Sequence, residues 1–134
     1  NMIFRLGYDP QTIDLGGVSV DGRHIGGDHS ADSCLISVEP DGVLFMGDCL
    51  SASPAGVITA ESASRLRDTI LGSTAEHYVE GHHESVSSRR DIEDLLAKLQ
   101  LAERAVREGL VIDAPDEDTE YYIDAFRAGA PTTP

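Results

Sequence analysis

The sequence predicts an α/β fold, one mixed β-sheet carrying helices on one of its faces. Three observations predict it. Short apolar runs separated by glycine and proline fill the chain up to Met46. Two stretches with apolar residues at helical spacing come later, at Ala63-Leu66-Ile70 and Ile92-Leu95-Leu96-Leu99-Val106. Between them lies a brief strand-like run, His77-Tyr78-Val79-Glu80.

Taken in order, Ile3 to Leu6 and Thr12 to Leu15 read as short strands around Tyr8-Asp9-Pro10, and Gly16-Gly17 turns the chain into a third, Val18 to Ile25. A hairpin follows, in which Cys34 to Val38 and Val43 to Met46 flank the turn Glu39-Pro40-Asp41-Gly42. In Val43-Leu44-Phe45-Met46 both side-chain parities are apolar, which a strand covered on both faces requires. Thr59 is placed to cap a helix that stops at Gly72. Ser88, with Asp91 three residues on, starts a longer helix that ends at Gly109. The predicted helices cover one sheet face and leave the other, also apolar, without cover. After Gly109 the composition turns acidic. Acidic residues in a first turn suit the helix dipole, so roughly 116 to 128 reads as a helix with Tyr122, Ile123 and Phe126 on one side, there either to dock on the chain's own body or to clasp a partner subunit. The expected division is a domain over 1–112 and an acidic tail over 113–134.

At 134 residues the chain is one domain at most. Its 24 acidic and 10 basic residues give a formal net charge of −14, which repels nucleic acid and anionic membrane and favours a cation as partner. No apolar run approaches the roughly 18 residues of a membrane-spanning helix. No basic-then-apolar leader opens the sequence, and the expected location is cytoplasmic. Cys34 and Cys49 lie outside any C-x-x-C pair and read as reduced structural thiols.

The chemistry concentrates in three glycine-flanked bends: Gly-Gly-Asp-His-Ser at 26–30, Met-Gly-Asp at 46–48 and Glu-Gly-His-His at 80–83. Each sets a metal-capable side chain, His29, Asp48 or His82, beside an apolar run, and imidazole and carboxylate are ligands that catalytic zinc takes. In this order, Asp-His-Ser-Ala-Asp-Ser, then a strand ending Val-Leu-Phe-Met-Gly-Asp, then one ending Tyr-Val-Glu-Gly-His resemble the second half of the metallo-β-lactamase fold. The resemblance covers roughly residues 3 to 107. It implies half of an αββα sandwich, whose open sheet face would pack on the other half.

The same resemblance implies that His29 completes the histidine set of a first metal, that Asp48 bridges two metals and that His82 binds the second. Two zinc ions would serve an intact domain, and the activity implied is metal-dependent hydrolysis. The family's H-x-H-x-D-H string, which supplies most of its metal ligands, does not occur here, and His83 stands where the family has glycine. Three residues divided between two sites leave one or two ligands each, so zinc is expected to bind this chain weakly or not at all, and the isolated chain is expected to be inactive. No catalytic residue is assigned. Asp28 and Asp32 flank His29 and are expected to orient it by hydrogen bonds. Ser51 and Ser53 have no G-x-S-x-G elbow around them, and Gly26-Gly27 is too short for a phosphate loop. Two readings follow: the C-terminal half of a metal-dependent hydrolase, or a noncatalytic dimeric module with a relic metal site. The chain by itself is expected to form a homodimer through the uncovered sheet face, with a small-molecule substrate only where the other half is supplied.

Overall fold

The computed structural model describes residues 10–131. Six strands form one sheet in the order of the chain: β1 (Gln11–Asp14), β2 (Ser19–His24), β3 (Cys34–Glu39), β4 (Val43–Gly47), β5 (His77–Glu80) and β6 (Ser87–Ser88). Every neighbouring pair is antiparallel except β4 with β5, which are parallel and are joined by a helix, α1 (Ala60–Leu71). The strand expected at Ile3 to Leu6 lies outside the described residues. Two antiparallel steps restore direction, so β2, β4 and β5 all run the same way and their carboxyl ends share one end of the sheet.

Side chains alternate across a strand, so register assigns each residue to a face. Leu35, Leu44, Met46 and Tyr78 point one way and join the core with α1 and α2 (Arg89–Glu108). Ile13, Val20, Ile36, Val38, Val43, Phe45 and Val79 point the other way. The contrast is sharp along β4 and its neighbours: Met46 and Tyr78 are 0% exposed, Phe45 42% and Ile36 37%. On the second face Ile36 and Phe45 are exposed and Ile13, Val20, Val38, Val43 and Val79 half-buried, so β4, apolar on both parities, is fully buried on one.

Helix ends follow local chemistry. Thr59 caps α1 by accepting from the Ser62 amide, and Gly72 closes it with right-handed backbone. Ser88 and Asp91 form a reciprocal capping box at the start of α2, and Gly109 ends it in the left-handed conformation that glycine adopts without steric cost. Arg89, the first residue of α2, donates to the carbonyls of Leu71 and Ser73 and to Tyr78 Oη. It thereby satisfies carbonyls left over at the end of α1 and locks α1, β5 and α2 together.

The acidic tail forms α3 (Glu117–Gly129), capped by Asp116, which accepts from the Thr119 amide. Tyr122, Ile123, Ala125 and Phe126 enter the same core as the sheet and α2. Lys98 of α2 pairs with Asp116 at 2.8 Å, and this contact holds the Asp116 carboxyl down at about 2.

Candidate metal centre

The three bends singled out in the sequence follow the carboxyl ends of β2, β4 and β5, so the sheet itself gathers them. Gly81 donates its amide to the Gly47 carbonyl at 2.8 Å, which clips the second and third bends together. Glycine is required at 81 by space: a Cβ there would overlap the Asp48 carboxylate. His82 then takes a left-handed backbone, φ 65°, uncommon for a residue with a side chain and a mark of a constrained turn.

His29 Nε2 lies 3.5 Å and His82 Nε2 3.3 Å from the same atom, Asp48 Oδ2. Three side chains from three separate bends thus meet at one carboxylate oxygen. His29 and Asp48 are partly buried, with side chains 35% and 25% exposed, whereas His82 is 87% exposed and forms the outer member.

The orientation of His29 is set from its other nitrogen. Nδ1 lies 3.0 Å from the Ala52 carbonyl oxygen, and a carbonyl only accepts, so Nδ1 carries the proton. In a neutral ring Nε2 then presents a lone pair toward Asp48. An acceptor facing an acceptor is repulsive until a proton or a cation lies between them. A ring N–H donated to a carbonyl, with the opposite nitrogen turned toward a carboxylate, is also how metal-binding histidines are held.

Zinc bonds of 2.0–2.1 Å at tetrahedral angles place two donors about 3.3 Å apart, close to both imidazole–carboxylate distances. An ordinary imidazole–carboxylate ion pair has the same separation, so the distances by themselves do not make a metal polyhedron. The set is not closed: among the described residues, no group of three or more His, Cys, Asp and Glu side chains is arranged to hold a metal ion.

The flanking carboxylates are engaged elsewhere. Asp28 accepts from the Thr59 amide at 2.8 Å and from its hydroxyl, tying the first bend to the start of α1. Asp32 accepts from Ser30 Oγ, which helps to hold its carboxyl low. The group found on His29 is the Ala52 carbonyl, in place of the two carboxylates expected from their position in the sequence. Cys49 is buried in the core with its thiol pushed up to about 11 by burial, and both cysteines are free thiols. Beside the bends, His83 Nδ1 sits 3.2 Å from Glu80, whose carboxyl is raised by burial.

Sequence comparison finds no matching protein family and no matching curated protein. Solved structures to which the fold is similar include metallo-β-lactamases. One from Pontibacter korlensis is 21% identical with a TM-score of 0.49, over 69% of this chain and 46% of its own. TMB-1 is 16% identical with a TM-score of 0.47, over 66% and 42%. One from Hirschia baltica is 12% identical with a TM-score of 0.41, over 71% and 46%. The chain therefore spans less than half the length of each structure. Among the described residues no helix is long and apolar enough to cross a membrane.

Proposed function

We propose that this chain carries one side of the metal centre of a metallo-β-lactamase-like, metal-dependent hydrolase, with His29, Asp48 and His82 as its contribution. The observation that carries this reading is the meeting of three bends at Asp48 Oδ2 with His29 Nδ1 already engaged. Zinc, when bound, supplies a hydroxide nucleophile at neutral pH and polarises the bond to be cleaved. The chain's own part is to present two imidazoles and a carboxylate at the carboxyl end of the sheet, with Gly81 leaving room for Asp48. Further donors come from outside the described residues. The test is calorimetric zinc titration of the wild type and of His29→Ala, Asp48→Ala and His82→Ala. Weak binding that all three substitutions abolish is expected, together with no hydrolysis of β-lactams, esters or thioesters by the chain alone. Zinc held through chelator treatment in an alanine variant would refute the ligand assignment.

The open sheet face needs an occupant, and in this reading it is a second copy of the chain. Five strands about 4.8 Å apart, each four to six residues long, present a footprint of roughly 400 Å². A stable interface buries about 800 Å² of accessible surface per partner, so sheet-to-sheet contact gives a reversible dimer. A charge of −14 on each chain opposes it, and added salt should tighten it. Light scattering over a range of concentration and salt tests this. A monomer under all conditions that binds a separately supplied sheet-bearing segment would assign the face to another polypeptide.

A further inference from the structure

Helix α3 lies beyond the segment that carries the three bends, yet it holds one of their supporting loops at three points. Tyr122 Oη donates to the Leu50 carbonyl at 3.2 Å, the Ala52 amide donates to Tyr121 Oη at 2.9 Å, and the Ile58 amide donates to the Ala125 carbonyl at 3.1 Å. At its far end Gly129 sits so close to Ile58 that a Cβ would collide with the Ile58 carbonyl. The middle contact falls on Ala52, the residue whose carbonyl receives His29 Nδ1. One buried residue is therefore gripped on its amide by α3 and on its carbonyl by the imidazole.

We infer that Tyr121 is a positioning residue for His29, acting through Ala52; the inference rests on the metal-centre reading for its purpose, though not for its geometry. Without the Tyr121 oxygen, a half-buried amide loses its acceptor, and a stranded backbone donor is costly enough to move a loop that has no strand or helix of its own. The Ala52 carbonyl would shift with it. His29 would lose the acceptor that keeps its proton on Nδ1 and its Nε2 turned toward Asp48. Tyr121 is itself half exposed and packs edge-on against Tyr122, with ring centroids 5.5 Å apart, so its ring can stay in place when the oxygen is removed.

The alternative is that Tyr121 does no more than fasten α3 to the body, and two variants separate the roles. Tyr121→Phe keeps the ring and removes only the oxygen. Asp116→Ala removes the cap at the first turn of α3 and leaves the Tyr121 oxygen on the Ala52 amide. The readout is the ¹⁵N spectrum of labelled histidine in the metal-free chain at about pH 8.5, where an ordinary imidazole is neutral, so that it reports which ring nitrogen of His29 holds the proton. Expected is an Nδ1-protonated His29 in the wild type and in Asp116→Ala, and a mixture of tautomers in Tyr121→Phe. Zinc affinity should fall about 3- to 10-fold in Tyr121→Phe, less than the 10- to 100-fold typical for a group touching the ligand directly. An unchanged His29 spectrum in Tyr121→Phe overturns the inference, as does an equal change in Asp116→Ala. Zinc held equally by the wild type and His29→Ala, with a tautomer that still responds to Tyr121→Phe, would count against the metal-centre reading and leave the positioning role standing.

Discussion

Leu44 and Phe45 are neighbours on one strand, both apolar, and they live in different surroundings. Leu44 faces the helices, is 2% exposed, and is joined by Met46 and Tyr78 in a closed core. Phe45 shares its face with Val38, Val43 and Val79 and is exposed. Both faces carry the composition of an interior. Only one of them is an interior in the single chain, which teaches that an apolar strand specifies burial without specifying by what.

Substitutions on each side sharpen the contrast, and the largest effect belongs to the covered face. Leu44→Ala should cost about 3 kcal/mol, the transfer of a buried side chain plus a cavity, read as a lower urea midpoint at unchanged slope. At the rim where the two faces end, Gly81→Ala forces a methyl against the Asp48 carboxylate, and about 2 kcal/mol is expected from overpacking. The same variant should lose zinc binding, and unaltered stability and binding together would mean that the bend relaxes freely. On the open face, Phe45→Ser should change monomer stability by less than about 0.5 kcal/mol, as substitutions away from a packed core do. It should instead shift the monomer–dimer equilibrium toward monomer in sedimentation. A loss as large as that of Leu44→Ala would show that the open face is already covered within the chain.

The smallest effect is electrostatic and lies on the helical side. The Lys98 ammonium, with the Thr119 amide, depresses the Asp116 carboxyl in the folded chain to about 2, from an ordinary value near 3.8. A depressed carboxylate stabilises above its unfolded value, and that contribution disappears as pH falls from about 4 through about 2. The pair is exposed, so the change should be slight and weaker in high salt. Helix content followed by circular dichroism through that window should fall a little earlier in the wild type than in Asp116→Asn, after correction for their different starting stability. Identical acid profiles would remove Asp116 from the account of α3.

The features legible in the sequence are those whose cause is local. Ser88 with Asp91, Gly109 and the acidic turn after Asp116 each act within a few residues, and all three helix ends stand where that chemistry put them. The bends at 26–30, 46–48 and 80–83 were visible for the same reason, glycine beside a metal-capable side chain, and the sheet brings their His and Asp together. Asp28 shows the limit. Its place beside His29 suggested that it steadies the ring, but its partner is Thr59, brought near only by the fold. Ala52 carries no chemical signal in its side chain, because what orients His29 is its backbone carbonyl. Arg89 looks like an ordinary first-turn residue until Leu71, Ser73 and Tyr78 converge on it. Strand β6, two residues long, is too short for any alternation to register.

The parallel pairing of β4 with β5 has a consequence for the order of assembly. β1 through β4 pair with their neighbours in sequence across local connections and can zip up one after another, whereas β5 reaches β4 only once the whole excursion from Asp48 through α1 to Glu76 has closed. Closing that loop costs chain entropy before any strand contact repays it, so the antiparallel part should form first. Asp48 and His82 follow the carboxyl ends of its two strands, side by side at one end of the late contact. The candidate centre would then come together last, and pulsed hydrogen exchange during refolding should protect amides of the β2–β3 ladder before the Gly81 amide that bonds to Gly47.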